Sequence, residues 1–141
     1  MKSGCLIAVV SAVATPVVGL FLLFSVPAWM NDEKLDMFEE RFLDYPLPPS
    51  TFFSDYNADS SIALRGNGNH CDYRVRISLQ TSLSEEEIIA YYDKAVVTGV
   101  DAAAAPITVY FHRESMGSGG MRRFIAEVND STEAGLDLRC H

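Results

Sequence analysis

Residues 70–99, HCDYRVRISLQTSLSEEEIIAYYDKAVVTG, contain the strand and the helix that decide the fold. The first part of this stretch alternates apolar and polar residues. Because successive side chains of a strand point to opposite faces, this period of two predicts a strand with one buried and one solvated face. The predicted buried positions are Cys71, Tyr73, Val75, Ile77 and Leu79.

The second part of the stretch has the pattern of a capped helix. Ser84 is a typical N-cap residue, and Glu87 three residues later completes a capping box. Glu85 and Glu86 add negative charge at the positive end of the helix dipole. We expect Gly99 to cap the C-terminal end. The predicted buried stripe of this helix is Ile88, Tyr92, Ala95 and Val96.

Further strands on both sides predict a small sheet. Residues 66–69, Gly-Asn-Gly-Asn, accept positive φ and predict a tight hairpin turn. Near the C-terminus, Leu136, Leu138 and Cys140 alternate with polar residues and predict a final strand. The predicted fold class is α+β, with one helix packed on a mostly antiparallel sheet in a domain of residues 51–141. The remaining predicted strands are 51–56, 61–65, 107–112 and 121–128.

A resemblance to a family covers about half of the chain. The segment PLPPST at 46–51, the following hairpin and TSLSEEEIIAYYDKAVVTGV at 81–100 resemble small bacterial lipoprotein or membrane-anchored envelope domains. In that family an S-x-E-E-[IV]-x-x-[FY]-Y helix leads into Gly-Trp, and Val100 replaces the Trp here. The resemblance implies an envelope protein without an assigned reaction. The matching residues are Ser84, Glu86, Glu87, Ile88, Tyr91, Tyr92 and Gly99.

The N-terminal region predicts a membrane anchor within residues 1–30. Residues 5–26 read CLIAVVSAVATPVVGLFLLFSV, and no charged residue lies between Lys2 and Asp32. A helix of this length spans about 33 Å, close to the thickness of the hydrocarbon core. Because Lys2 favours a cytoplasmic N-terminus, we expect the following domain to lie on the extracytoplasmic side of a single-pass anchor.

A cleaved signal peptide is the alternative interpretation of the same segment. Val26-Pro27-Ala28 places small residues where a signal peptidase reads them, with cleavage before Trp29. The mature domain would then be secreted. The apolar run is longer than the usual core of a signal peptide, which favours the anchor.

Residues 31–50 predict a juxtamembrane helix and a spacer. Leu35, Phe38 and Phe42 recur at helical spacing within 32–43 and predict a short amphipathic helix. Pro46, Pro48 and Pro49 then end the helix and favour a stiff, extended connection.

Charge restricts the classes of partner. The net charge is −8, and all acidic residues follow the apolar segment. Such a surface repels nucleic acid, so we predict no nucleic-acid partner. The predicted partners are the membrane, through residues 5–26, and another envelope protein.

Cys71 and Cys140 are the predicted site residues, as a disulfide. Both belong to the apolar-facing sets of their predicted strands, and thiols pair outside a reducing cytoplasm. Two buried free cysteines are the alternative, which requires a reducing compartment. We predict no catalytic, cofactor-binding or metal-binding residues.

The leading functional hypothesis is a membrane-anchored, non-enzymatic module that binds a protein or another envelope component. One alternative is a small envelope hydrolase with a site near the 114–120 loop, drawing on His112, Ser115 and Asp130, although no nucleophile-elbow motif is present. The other is a metal-binding domain, in which Cys71 and Cys140 would converge with a histidine.

Overall fold

The computed structural model describes the backbone of residues 2–55, 57–116 and 120–141, and the side chains of 12–55, 57–111 and 120–141. Its class is α+β, with one long N-terminal helix, an antiparallel sheet and a second helix. This confirms the predicted class. The elements are α1 (Lys2–Leu43), β1 (Thr51–Phe53), β2 (Asp59–Ala63), β3 (His70–Thr81), α2 (Glu85–Tyr92), β4 (Val96–Thr98), β5 (Ala104–Met116), β6 (Arg122–Glu133) and a 3-10 helix (Leu138–Cys140).

The strand β3 is the centre of the sheet. It pairs along its whole length with β6, from His70 opposite Glu133 to Thr81 opposite Arg122. On its other edge β1 pairs with the C-terminal end of β3, and β2 pairs with the N-terminal half. Beyond β6 the order continues with β5 and β4, and every described pairing is antiparallel.

The sheet has one covered face and one open face. On β3 the covered face carries the predicted set from Cys71 to Leu79, and these side chains form one core with those of both helices. The opposite side of the sheet, here called the outer face, is covered by neither helix. Its residues include Asp59, Asp72, Arg74, Arg76, Thr108, Tyr110, Glu127, Asn129 and Ser131.

The helix α2 begins as predicted and ends earlier than predicted. The capping box between Ser84 and Glu87 is formed in both directions. The helix ends at Tyr92, and residues 96–98, Val-Val-Thr, pair with β5 instead. Since β-branched residues favour strands, the predicted helical position of Val96 and the predicted cap at Gly99 were wrong.

Gly99 has a different role, in the turn after β4. Its backbone N–H donates to the carbonyl of Ala103, and its carbonyl accepts a hydrogen bond from Arg41 of α1. A Cβ at this position would overlap the carboxylate of Asp130. The glycine therefore allows three parts of the chain to approach closely.

We expect Ser84→Ala to lower the free energy of unfolding by about 1 kcal/mol, because the side chain that accepts from the Glu87 backbone N–H is lost. Urea unfolding of the full chain in detergent micelles measures the change. Ser82→Ala, at an exposed position two residues earlier, is the matched control and should change little. Equal effects of the two substitutions would argue against the cap.

The predicted anchor and the predicted juxtamembrane helix form one continuous helix, α1. Asn31, Phe38 and Phe42 are buried, and Leu35 packs against the same core, so one stripe of α1 belongs to the domain. Toward the N-terminus the large apolar side chains are exposed. The segment Ala12–Leu43 is long and apolar enough to span a membrane.

The proline segment packs on the domain. Pro48 is buried, Tyr45 and Leu47 contact the core, and the Tyr91 hydroxyl donates to the Pro46 carbonyl at 2.9 Å. The extended connection predicted for 46–49 thus lies against α2 and does not hold the domain away from the helix.

The C-terminal strand prediction was wrong. Residues 138–140 form a 3-10 turn, in which Asp137 caps the backbone N–H of Arg139. Leu136 and Leu138 are exposed, whereas Asp137 and Cys140 are buried. The alternation of apolar and polar residues at 136–140 therefore does not reflect a strand.

Candidate functional site

The disulfide between Cys71 and Cys140 closes the end of the sheet nearest to the apolar part of α1. The two Cα atoms lie 4.7 Å apart, and both residues are fully buried. The bonded pair is the predicted one, but Cys140 lies in the 3-10 turn and not on a strand face shared with Leu136 and Leu138, as the sequence pattern had indicated.

A partly buried polar cluster, here called the junction, lies beside the disulfide and joins α1 to the domain. The Asn31 amide donates to Asp137 at 2.9 Å and to the Cys71 sulfur at 3.4 Å, and its oxygen accepts from the Tyr73 hydroxyl at 2.9 Å. Every polar atom of this one helical side chain therefore has a partner in the domain. The junction consists of Asn31, Asp32, Tyr73, Asp137 and Arg139.

Arg139 completes the junction from the C-terminal side. Its guanidinium donates to Asp137 at 2.7 Å, to Asp32 at 2.6 Å and to the Ala28 carbonyl at 2.9 Å. The last two acceptors belong to α1, one turn apart. Hydrogen bonds to ionised groups are stronger than neutral ones, so this arginine fixes the C-terminus against the helix.

The electrostatics of the junction favour an ionised Asp137. Hydrogen bonds from Arg139 lower the pKa of Asp137 to about 2, and the bond from Asn31 adds to this against the opposing effect of burial. The same pairing raises the pKa of Arg139. Burial raises the pKa of the Tyr73 hydroxyl, which therefore stays protonated and donates to Asn31.

We expect Asp137→Asn to destabilise the domain most at neutral pH. The folded pKa of about 2 lies below the usual 3.8, so the ionised carboxylate stabilises the fold above pH 3.8, and this contribution is lost as the pH falls toward 2. The difference in unfolding free energy between wild type and variant, measured from pH 7 to pH 2.5, should become smaller as the pH falls below 3.8. A difference independent of pH would contradict the ionised pair.

The surroundings of the disulfide bear on the hypothesis of a metal site. The two cysteine sulfurs and a carboxylate oxygen of Asp137 lie within 4.8 Å of one another. The sulfurs are bonded to each other, however, whereas a metal ligand must be a thiolate. The predicted histidines do not converge here, because His70 contacts Asp72 at 3.1 Å and His141 contacts the Gly135 carbonyl.

The outer face carries an ordered network around Glu127. This carboxylate accepts hydrogen bonds from Arg76 of β3, from Tyr110 of β5 at 3.2 Å and from Asn129 at 2.7 Å. These neighbours cover Glu127 so closely that it is only 4% exposed, although no helix lies above it. Burial alone would raise the pKa of Glu127, but the bonds from Asn129 and Arg76 outweigh it and lower the pKa.

Arg74 and Tyr110 are residues of the outer face that remain at least partly accessible to solvent. The Arg74 guanidinium lies 3.7 Å from the exposed carboxylate of Asp59, and its buried Nε has no hydrogen-bond partner among the described residues. Tyr110 is 46% exposed and lies under the Arg76 guanidinium. The outer face therefore combines an aromatic ring, donors and acceptors in a fixed arrangement.

Of the residues proposed for a hydrolase, the structure describes the side chain of Asp130. The side chains of His112 and Ser115, and residues 117–119 of the loop, lie outside the described part of the chain. Asp130 uses its carboxylate to accept from the Val100 backbone N–H at 2.6 Å and from the Ser131 N–H at 2.8 Å. A depression at the end of α1 is lined by carboxylates and one leucine: Asp36, Glu39, Glu40, Leu43 and Asp44.

Sequence reasoning missed both polar clusters for one physical reason. Arg76 meets Glu127, and Asn31 meets Asp137, only once the register of β3 against β6 and the docking of α1 are known. The alternation of β3 marked Arg74 and Arg76 as solvent-facing, which was the one available signal for the outer face. No family model, curated protein or solved structure matches this chain.

Proposed function

We propose that this chain is a single-pass membrane-anchored module whose domain lies outside the cytoplasm and binds another envelope protein through the outer face. The observation that carries the proposal is the asymmetry of the sheet. Both helices pack on one face, and the other face presents an ordered polar network with no cover among the described residues.

Three features support the anchor and its orientation. The apolar part of α1 is exposed in the isolated chain, which a soluble domain rarely tolerates over such a length. Lys2 flanks the N-terminal side and favours a cytoplasmic N-terminus. The Cys71–Cys140 disulfide persists in an oxidising compartment, which agrees with export.

The chemistry of the outer face favours a protein partner over a small substrate. The face is a surface of mixed charge, in which Arg76 and Glu127 already neutralise each other. Part of the Arg74 side chain and the ring of Tyr110 are accessible to a partner, and Tyr and Arg are enriched in protein interfaces. A partner with carbonyl or carboxylate acceptors opposite Arg74 fits this arrangement.

Site-specific crosslinking in membranes tests the proposal. A photoreactive residue at Thr108, which is exposed on the outer face, should capture one discrete protein. The same residue at Ile89, which is exposed on α2, is the matched control and should not. Arg74→Ala should abolish the product from Thr108, and Lys94→Ala should leave it unchanged. Capture of the same protein from both positions, or capture insensitive to Arg74, would overturn the assignment of the face.

A further inference from the structure

The C-terminal segment lies at the level where the apolar run of α1 ends. The Arg139 guanidinium donates to the Ala28 carbonyl, and Ala28 follows Val26, the last residue of that run, by about 3 Å along a helix axis. The 3-10 turn that contains Arg139 is therefore next to the boundary between the apolar and the polar parts of α1.

This segment exposes two leucines and buries the carboxylate between them. Leu138 is 65% exposed and Leu136 is 44% exposed, while Asp137 between them is buried. On α1, Trp29 and Met30 are exposed at the same level. An aromatic ring at this depth is typical of the interface between membrane and water.

The charges of the segment are already compensated. Arg139 is paired with both Asp137 and Asp32, so the turn offers no free cation to anionic headgroups. Contact with lipid would therefore depend on the leucines and not on charge attraction, which electrolytes screen.

We infer that Leu136 and Leu138 form a lipid-contacting foot, through which the domain rests on the outer surface of the bilayer beside its own transmembrane helix. The occupant of this apolar surface is lipid, because Arg139, next to Leu138, contacts α1 at Ala28, where the exposed apolar part of the helix ends. The inference rests on the proposed membrane span. If so, the foot, the junction and α1 together fix the orientation of the domain relative to the membrane.

Tryptophan fluorescence of the full chain in vesicles of zwitterionic lipid tests the foot. In a Trp29→Phe background, which leaves no native tryptophan, Leu138→Trp places the probe on the foot. Val96→Trp is the matched control, since Val96 is 51% exposed. Val96 lies three residues before Gly99, and the Gly99 carbonyl contacts Arg41 of α1. Arg41 is about 20 Å farther along the helix than Ala28, so the control position lies far from the foot.

Lipids brominated near the headgroup end of their acyl chains should quench the fluorescence of the tryptophan at 138 at least about twice as strongly as that of the tryptophan at 96. The emission of the tryptophan at 138 should also lie at shorter wavelength. Quenching should persist in concentrated salt. Equal quenching at 138 and 96, with equal access to aqueous acrylamide, would overturn the foot.

A separate measurement distinguishes failure of the foot from failure of the anchor. The wild-type chain should float with vesicles and resist alkaline carbonate extraction. If it floats while 138 remains unquenched, the span stands and the foot is wrong. If it does not float, both are wrong. A cooperative urea unfolding transition, with a midpoint close to that of the wild type, shows that each variant has folded.

Discussion

Replacing both Cys71 and Cys140 by alanine should lower the free energy of unfolding by about 4 kcal/mol. The bond joins residues 69 positions apart. In the unfolded state it therefore reduces the conformational freedom of most of the domain's chain. It also fixes the 3-10 turn that carries Asp137 and Arg139, so its loss should loosen the junction as well. Urea unfolding of the full chain in detergent, followed by near-ultraviolet circular dichroism, measures the change.

Cys5→Ala is the matched control for the disulfide, because it removes a cysteine that lies outside the pair. It should leave the unfolding midpoint unchanged. Thiol labelling of denatured, unreduced protein should modify Cys5 alone. Labelling at Cys71 or Cys140, or a double variant as stable as the wild type, would contradict the predicted stabilisation.

Phe38→Ala should destabilise the domain by about 3–5 kcal/mol, the usual cost of deleting a buried aromatic side chain. Phe38 lies on α1 but is fully buried in the core of the domain. Met37→Ala, one position earlier and 48% exposed, should change stability little. Full-chain thermal unfolding in micelles distinguishes the two variants.

The comparison between Phe38 and Met37 tests whether α1 is part of the domain. A helix that merely tethered a self-sufficient sheet would tolerate both substitutions equally. The unequal effect expected here means that the residues after the apolar segment complete the core, so truncation before residue 31 and truncation before residue 45 should give chains of very different stability.

The parts of the fold that local patterns determine could be predicted. In β3 every second residue is buried. Successive side chains of a strand point to opposite faces of the sheet, so the alternation of apolar and polar residues can be recognised in the sequence. The capping box at Ser84 and Glu87 is a contact between residues three apart and needs no tertiary information. The stripe of Phe38 and Phe42 followed from helical spacing for the same reason.

The parts that tertiary contacts determine could not be predicted. Residues 129–133 carry turn-forming residues, yet they continue β6 because β3 pairs with them as far as Glu133. Leu136 and Leu138 fit a buried strand face by composition, but the burial of Asp137 with Arg139 and Asn31 turns them outward. When a polar residue is buried by distant hydrogen-bond partners, its burial cannot be predicted from the sequence until the positions of those partners in the fold are known.

The candidate sites divide in the same way. The pair Cys71 and Cys140 could be named because these are the two cysteines that follow the apolar segment in the sequence. The network around Glu127 could not, since a glutamate on a solvated strand face has no feature that predicts near-complete burial. Its three partners come from β3, β5 and β6, and only the sheet register brings them together.

Protease treatment of spheroplasts that produce the full chain with a C-terminal tag tests the central claim most directly. The account predicts that the tag is lost while the membrane is intact and a cytoplasmic marker is preserved, and that a fragment containing the apolar part of α1 stays with the membrane. A tag that resists the protease until the membrane is lysed would place the domain in the cytoplasm and contradict the proposed function.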